Sequence, residues 1–171
     1  KIESIKYFLV DKNGEQKSYK AIWYRKGNAD KQKISIYKKG ISKEVYQVES
    51  SEEKKCDYFT IGQLDGEIVL CYIEIGNIED VVKVSKENLK VHIVNLEEGK
   101  EIKTYEITDL LSYSIKIAYS KDLSCIWVAG ELKDSSWPIK SCIKQIRVLG
   151  NEVKEINLGE TESKDFIDQI Y

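Results

Sequence analysis

Residues 67–107 contain EIVLCYIEI at 67–75 and, after a polar loop, LKVHIVNLEEG at 89–99 and IKTYEI at 102–107. The same arrangement occurs earlier, as AIWYR (21–25), KISIYKKG (33–40) and EVYQV (44–48). It occurs again later, as SCIWVAGEL (124–132), IKQIRVLG (143–150) and EVKEINLG (152–159). Each copy predicts a β-strand, a long polar loop, a second strand, a tight turn with a glycine and a third strand. The chain therefore contains an internal repeat of β-units.

A further strand precedes these in each unit. The candidate first strands are SIKYFLV (4–10), YFTIGQL (58–64) and SYSIKIAY (112–119). The first is followed by Asn13-Gly14 and the second by Asp65-Gly66, which are the strongest short signals of a β-hairpin. The third meets its partner across residues 120–124. Each unit is therefore predicted to be a four-stranded antiparallel sheet.

Four antiparallel strands make one blade of a β-propeller. The turn glycines Gly40, Gly99 and Gly150 recur at intervals of about 50 to 60 residues, close to the period of propeller blades. We therefore predict an all-β fold, a single partial β-propeller domain over residues 1–171. The predicted blades are 1–50, 51–108 and 109–160, and 161–171 is a connector or the start of a further unit. Three blades are too few to close the usual ring, so we expect further blades or a second chain to complete it, or a different closure of the sheets.

The second strand of each unit is apolar on both faces, as in IVLCYI at 68–73 and CIWVAG at 125–130. A strand reads this way when both faces of its sheet are covered. Trp23 and Trp127 lie in this strand of the first and third units, and we expect them to pack between neighbouring blades.

Three segments resemble the hairpins of WD-repeat and related bacterial propellers. They are YSKDLSCIWVAG (119–130), LKVHIVNLEEGKEIKTYEI (89–107) and IKQIRVLGNEVKEINLG (143–159). Each has an apolar strand, a polar turn and a returning strand, and the resemblance covers most of residues 20–160. It implies a rigid scaffold with binding loops and no particular activity.

The charges nearly balance, with 27 Lys and Arg against 29 Asp and Glu, but residues 1–44 contain twelve basic and five acidic side chains. This surplus fits a solvated lysine-rich surface or, alternatively, an anionic partner on the first third of the chain. No nucleic-acid binding is predicted. No membrane span is predicted either, because no apolar run approaches the roughly 20 residues required. The chain begins at Lys1 and has no methionine, so we expect a processed form, an excised domain or a fragment.

The cysteines allow two interpretations. Cys56 and Cys71 fall in the second unit, and Cys125 and Cys142 fall in the third. A disulfide within each unit would indicate an exported or extracellular protein, whereas buried free thiols would fit the cytoplasm. Their spacing and the presence of a single histidine, His92, disfavour a zinc site.

Residues Ser120 to Trp127 resemble the Asp box of sialidases, with Ser124 at the position of the glycine. In that family the box is a turn that stabilises the fold. Sialidase chemistry also implies several arginines around a carboxylate, and the chain has only Arg25 and Arg147. We identify no catalytic, cofactor or metal-binding motif, so the sequence favours a non-enzymatic role. The alternative is a glycoside-binding or glycoside-hydrolase fragment of a propeller, whose site needs further blades.

The loops between the second and third strands of each unit are long, at 25–32, 76–88 and 133–138. Together with the connections between units they are predicted to emerge on one rim of the fold. Because function tends to lie in long loops on a rigid scaffold, we predict that this loop rim binds a protein partner. The candidate residues are Trp137, Lys133, Asp134, Arg25 and Lys26.

Overall fold

Strands make up almost all the regular structure in the computed structural model, which describes residues 1–25, 31–51, 54–76, 87–133, 138–149 and 152–161. Within these residues the strands form three four-stranded antiparallel sheets. The predicted all-β class and the four-stranded units are therefore confirmed. Gly150, most of segment 161–171 and most of the three long loops lie outside the described residues.

The strands of each sheet follow one another in the chain. The first sheet contains β1 (Ile2–Lys12), β2 (Glu15–Arg25), β3 (Gln32–Lys38) and β4 (Glu44–Glu49). The second contains β5 (Lys54–Leu64), β6 (Glu67–Gly76), β7 (Leu89–Asn95) and β8 (Lys100–Ile107). The third contains β9 (Lys116–Ser120), β10 (Cys125–Glu131), β11 (Ser141–Leu149) and β12 (Glu152–Thr161). Each strand pairs with its predecessor and successor, so every sheet is an up-and-down meander.

The hairpins predicted between the first two strands form as expected. Asn13 has φ 53° and Gly14 has φ 77°, while Asp65 has φ 50° and Gly66 has φ 77°. Two consecutive residues with positive φ give the turn whose twist matches that of the flanking strands. Asn and Asp tolerate this conformation better than most residues, which explains the dipeptides chosen here.

The third hairpin contains Ser124, which has φ 46° although serine rarely adopts the left-handed region. We expect Ser124→Gly to raise the free energy of unfolding by about 1 kcal/mol, because glycine has no Cβ to strain this backbone. Urea denaturation measures the change. Ser120→Gly, on the neighbouring extended strand, is the control and should lower stability instead. Equal losses in both variants would contradict the assignment of strain to Ser124.

Strand β9 is shorter than the predicted 112–119. Residues 112–114 form a 3₁₀ turn, and the strand begins at Lys116. The Ser114 hydroxyl explains the difference, because it accepts a hydrogen bond of 2.8 Å from the Glu131 amide and donates one of 3.3 Å to the Leu111 carbonyl. These bonds hold the segment beside the end of β10 instead of in the sheet.

The second sheet lies between the other two and has an apolar core on each face. One core, between the first and second sheets, contains Tyr19, Ala21, Ile34, Ile36, Phe59, Ile61, Ile68 and Leu70, with Trp23 packed against it. The other, between the second and third sheets, contains Val69, Cys71, Ile73, Val91, Ile93, Ile126, Val128 and Ile146. Alternate residues of β6 therefore enter opposite cores, which is why this strand is apolar on both faces.

The first strands of the three sheets lie next to one another, since β5 contacts both β1 and β9. The approach of β9 to β5 is close at Gly62. A Cβ on Gly62 would lie 2.2 Å from Cδ2 of Tyr119, so the aromatic ring occupies the space that any larger residue would need. Only a residue without a side chain lets these two strands pack together here.

The connection from β8 to β9 is fixed to the third sheet. Lys144 of β11 is almost fully buried, and its Nζ lies 2.9 Å from Asp109 Oδ2 and 3.1 Å from Glu155 Oε1. The Lys133 amide also donates a hydrogen bond of 2.9 Å to the Asp109 carbonyl. The cation thus links the connection to two strands of the third sheet.

The possible disulfides do not form, and the thiols of all four cysteines are buried. The sheet register explains this: Cys71 lies opposite Thr60 of β5, well along the strand from Cys56, and the two thiols enter different cores. In the third sheet Cys142 lies opposite Gly130, at the far end of β10 from Cys125. The sulfur atoms of each predicted pair are therefore too far apart to bond.

Candidate functional site

The loop rim contains two of the predicted partner-binding residues that the structure describes, Arg25 and Lys133. Lys26, Asp134 and Trp137 lie outside the described residues. Arg25 ends β2, where its amide donates a hydrogen bond of 3.1 Å to the Lys1 carbonyl. Its Nε lies 3.9 Å from Glu3 Oε1. These contacts hold Arg25 within the first sheet.

Lys133 follows β10 and contacts the second sheet instead. Its Nζ donates a hydrogen bond of 3.0 Å to Asn88 Oδ1, just before β7. Nearby, Lys54 at the start of β5 lies 3.1 Å from Glu87 Oε2. The contacts described here for Arg25 therefore lie within the first sheet, whereas those for Lys133 are made with the second sheet.

A larger surface lies on the face of the first sheet that points away from the second, here called the open face. Ile5, Tyr7 and Leu9 of β1 alternate along it and are 46%, 72% and 63% exposed. Ile22 pairs with Ile5 on the adjacent strand, and Lys20 pairs with Tyr7. The residues between them on β1 point the other way, because Phe8 and Val10 contribute to the core with the second sheet.

Equivalent positions in the other two sheets show why this exposed surface is unusual. Tyr7 precedes Gly14 by as many residues as Phe59 precedes Gly66, so the two occupy equivalent positions. Phe59 is buried against the first sheet, and in the third sheet Ile117 and Tyr119 pack against the second. The first strand of each sheet thus presents large apolar side chains towards the preceding sheet. Only in the first sheet are these side chains exposed.

A groove lies where the open face meets the turn between β3 and β4, and we call it the lysine groove. It has a volume of about 460 Å³ and is lined by Tyr7, Ser18, Tyr19, Lys20, Tyr37, Lys38, Lys39, Gly40, Ile41 and Ser42. The Nζ of Lys20 lies 5.2 Å from the centroid of the Tyr37 ring. This cation–π contact orients the ammonium group within the groove.

Ion pairs join the tight turns of the first and second sheets. Lys12 Nζ lies 2.7 Å from Glu97 Oε1 and 3.6 Å from Glu67 Oε2, and Lys17 Nζ lies 3.5 Å from Glu97 Oε2. The hydrogen bond from Lys12 is the main reason that the pKa of Glu97 lies below its usual value. These contacts connect the β1–β2 and β7–β8 turns, so these charged side chains join the two sheets at this end of the fold.

His92, the only histidine, belongs to a cross-strand cluster on the second sheet. Its ring stacks on Tyr72 with centroids 4.4 Å apart, and its Nδ1 lies 2.9 Å from Glu101 Oε2. Burial favours a higher pKa for Glu101, but hydrogen bonds from Thr104 and His92 hold that pKa below its usual value. The Thr104 hydroxyl also lies 3.2 Å from His92 Nδ1, so these contacts hold the buried histidine in place within the second sheet.

Over the described ranges, His, Cys, Asp and Glu side chains form no group of three or more suited to holding a metal ion. Within the same ranges we find no helix with the length and apolar character needed to cross a membrane. Comparison of the chain with protein-family models, curated proteins and solved structures finds no match.

The open face and the lysine groove were not predicted, although the sequence contains a signal for both. SIKYFLV at 4–10 has apolar residues in both alternating sets, as β6 does, which indicates a strand meant to be covered on both faces. The basic surplus of residues 1–44 indicates by itself no particular place in the fold. The structure places part of that surplus beside the apolar residues of β1.

Proposed function

We propose that the three sheets are consecutive blades of a β-propeller scaffold, and that the chain binds a protein through the open face of its first sheet. The meander of each sheet, the adjacent first strands and the face-to-face packing of successive sheets all support this architecture. The proposed role is non-enzymatic: the scaffold holds a rigid surface against a partner.

One observation carries the proposal. Side chains equivalent to Tyr7 and Leu9 are buried in the second sheet and half-buried in the third, whereas Tyr7 and Leu9 are 72% and 63% exposed. Exposed apolar groups that form a continuous patch mark protein-interaction sites, and tyrosine is enriched at such interfaces. A partner that covers this patch would replace the contact that a preceding sheet makes elsewhere in the fold.

The loop rim remains a second candidate surface, because the length of its loops predicts a binding role. Its candidate residues are Trp137, Lys133, Asp134, Arg25 and Lys26. Arg25 already contacts Glu3 of β1, and Lys133 already contacts Asn88 before β7. Because these side chains bind groups of the chain itself, we favour the open face as the principal site.

Photo-crosslinking tests the open face directly. A benzophenone side chain in place of Tyr7 should form adducts with another protein in the cells that produce the chain. The same group in place of Lys103, an exposed residue of β8, is the matched control and should not form them. Adding Leu9→Lys to the Tyr7 variant should remove the adducts. Adducts that are the same at both positions, or none at Tyr7, would refute the proposal.

A further inference from the structure

We infer that the lysine groove binds an acidic peptide segment of the protein partner. This inference rests on the proposed function, since it specifies the chemistry of the partner at the edge of the open face. The segment would place carboxylates near Lys20, Lys38 and Lys39, and an aliphatic or aromatic side chain against Tyr7 and Ile41.

The charge of the groove is the first argument. Lys20, Lys38 and Lys39 all line it, and no acidic residue does. Within the part of the chain that the structure describes, none of these three lysines forms an ion pair. Their positive charge is therefore available to a ligand.

Other lysines of the first sheet are neutralised within the protein. Lys33 Nζ lies 3.3 Å from Glu44 Oε1, and Lys12 Nζ lies 2.7 Å from Glu97 Oε1. The basic surplus of residues 1–44 is thus reduced at these positions, whereas the lining of the lysine groove contains three lysines and no carboxylate. A surface of one sign beside an apolar patch favours a partner that combines the opposite charge with apolar side chains.

The shape of the groove is the second argument. Its volume of about 460 Å³ suits a few side chains of a peptide. Its lining combines Tyr7, Tyr37 and the exposed side chain of Ile41 with the lysines, so apolar and charged contacts are available within one site. Lysine offers a point charge and no bidentate fork, which suits carboxylates spaced along a flexible segment. A duplex of nucleic acid would instead need a basic surface extended along its backbone.

The test uses the full chain and a fluorescein-labelled octapeptide of alternating Glu and Leu, followed by fluorescence anisotropy at low salt. We expect binding that weakens as salt rises, because exposed charges are screened. Lys38→Glu/Lys39→Glu should weaken binding by about tenfold or more. Lys116→Glu/Lys154→Glu, a double charge reversal on the third sheet, is the matched control and should leave the affinity within about twofold.

Further arms separate the possible ligands. An octapeptide of Gln and Leu should bind at least about tenfold more weakly than the acidic one, and equal binding would overturn the inference. Tighter binding of a single-stranded octanucleotide, lost in the same lysine variant, would also overturn it, as would a concentration-dependent dimer of the chain abolished by that variant. Lys38→Gln/Lys39→Gln repeats the test if the charge reversal impairs folding, which far-ultraviolet circular dichroism monitors.

Failure of this inference is distinguishable from failure of the proposed function. Loss of octapeptide binding with retained adducts at Tyr7 would reject the acidic segment and keep the open face as a protein-binding surface. The opposite result is octapeptide binding that still depends on the lysines, without adducts at Tyr7. It would support the lysine groove as a binding site and reject the open face as a protein-binding surface.

Discussion

Replacing Gly62 with alanine is expected to lower the free energy of unfolding by about 3 kcal/mol, because the new methyl group would overlap the ring of Tyr119. Three ring atoms of Tyr119 lie within 2.5 Å of the ideal Cβ position, and the ring belongs to a rigid side chain packed between β5 and β9. The two strands would have to separate or the ring would have to leave its rotamer. Urea denaturation followed by tyrosine and tryptophan fluorescence measures the loss.

Gly130→Ala is the matched control for this prediction. Its ideal Cβ approaches Ile115 Cδ1 at 2.9 Å, which is the end of a flexible side chain that can move away. We expect a loss of about 1 kcal/mol or less, since a small shift of one methyl group relieves the contact. Tyr119→Ala combined with Gly62→Ala should be less destabilising than the sum of the two single changes. Additive losses would show that the clash does not arise from this ring.

Lys144→Ala is expected to lower the free energy of unfolding by about 2 kcal/mol, because it removes the buried cation that joins the β8–β9 connection to the third sheet. The loss is moderated by the exposure of Asp109, which can be hydrated once its partner is gone. Thermal and urea denaturation at neutral pH measure it. Lys144→Met keeps the buried stem and removes only the charge, so its effect should be smaller. A loss as small as that of Lys116→Ala, at an exposed position, would contradict the role of the pair.

The same ion pair fixes the pH dependence of this contribution. Burial alone would lower the pKa of Lys144, but its hydrogen bonds to Asp109 and Glu155 raise that pKa above the ordinary 10.5. A raised pKa in the folded state stabilises the protein fully below the ordinary value, and the stabilisation is lost as pH rises through the folded value. The difference between wild type and Lys144→Ala should therefore stay constant from pH 7 to 9 and fall only above about 10.5.

The sequence allowed the strands and their order to be predicted because the responsible forces act locally. Asn13-Gly14 and Asp65-Gly66 adopt the positive φ values that their hairpins require. The apolar run 68–73 lies in a strand whose two faces enter two cores. Periodicity, turn residues and length carry this information, so no knowledge of distant contacts was needed.

Features that depend on contacts between sheets were not predictable in the same way. Trp23 and Trp127 occupy the same strand of two units, yet Trp23 packs against the core between the first and second sheets. Trp127 alternates with Ile126 and Val128, which enter the other core, so it lies on the opposite face of β10. The side on which a strand faces its neighbour depends on register, and a shift of one residue reverses it.

The candidate site was missed for a related reason. Loop length directed the prediction towards Trp137 and its neighbours on the loop rim, whereas Tyr7 and Leu9 looked like ordinary residues of a strand. Their exposure follows from the position of the first sheet at the end of the stack, which sequence periodicity does not specify. The lysine groove needs residues of three strands to converge, so it emerges only from the sheet register.

The separate locations of the buried thiols make them internal reporters of opening. Cys56 lies between the first and second sheets, while Cys71 and Cys142 lie between the second and third, and burial raises the pKa of the Cys71 thiol. At Cys56, Cys71 and Cys142 a thiolate-specific reagent can therefore react only when one of these interfaces separates. Modification of Cys56 alone would time the detachment of the first sheet, and simultaneous modification of all positions would time complete unfolding. The chain thus permits the lifetimes of its two interfaces to be compared in the native protein without any introduced label.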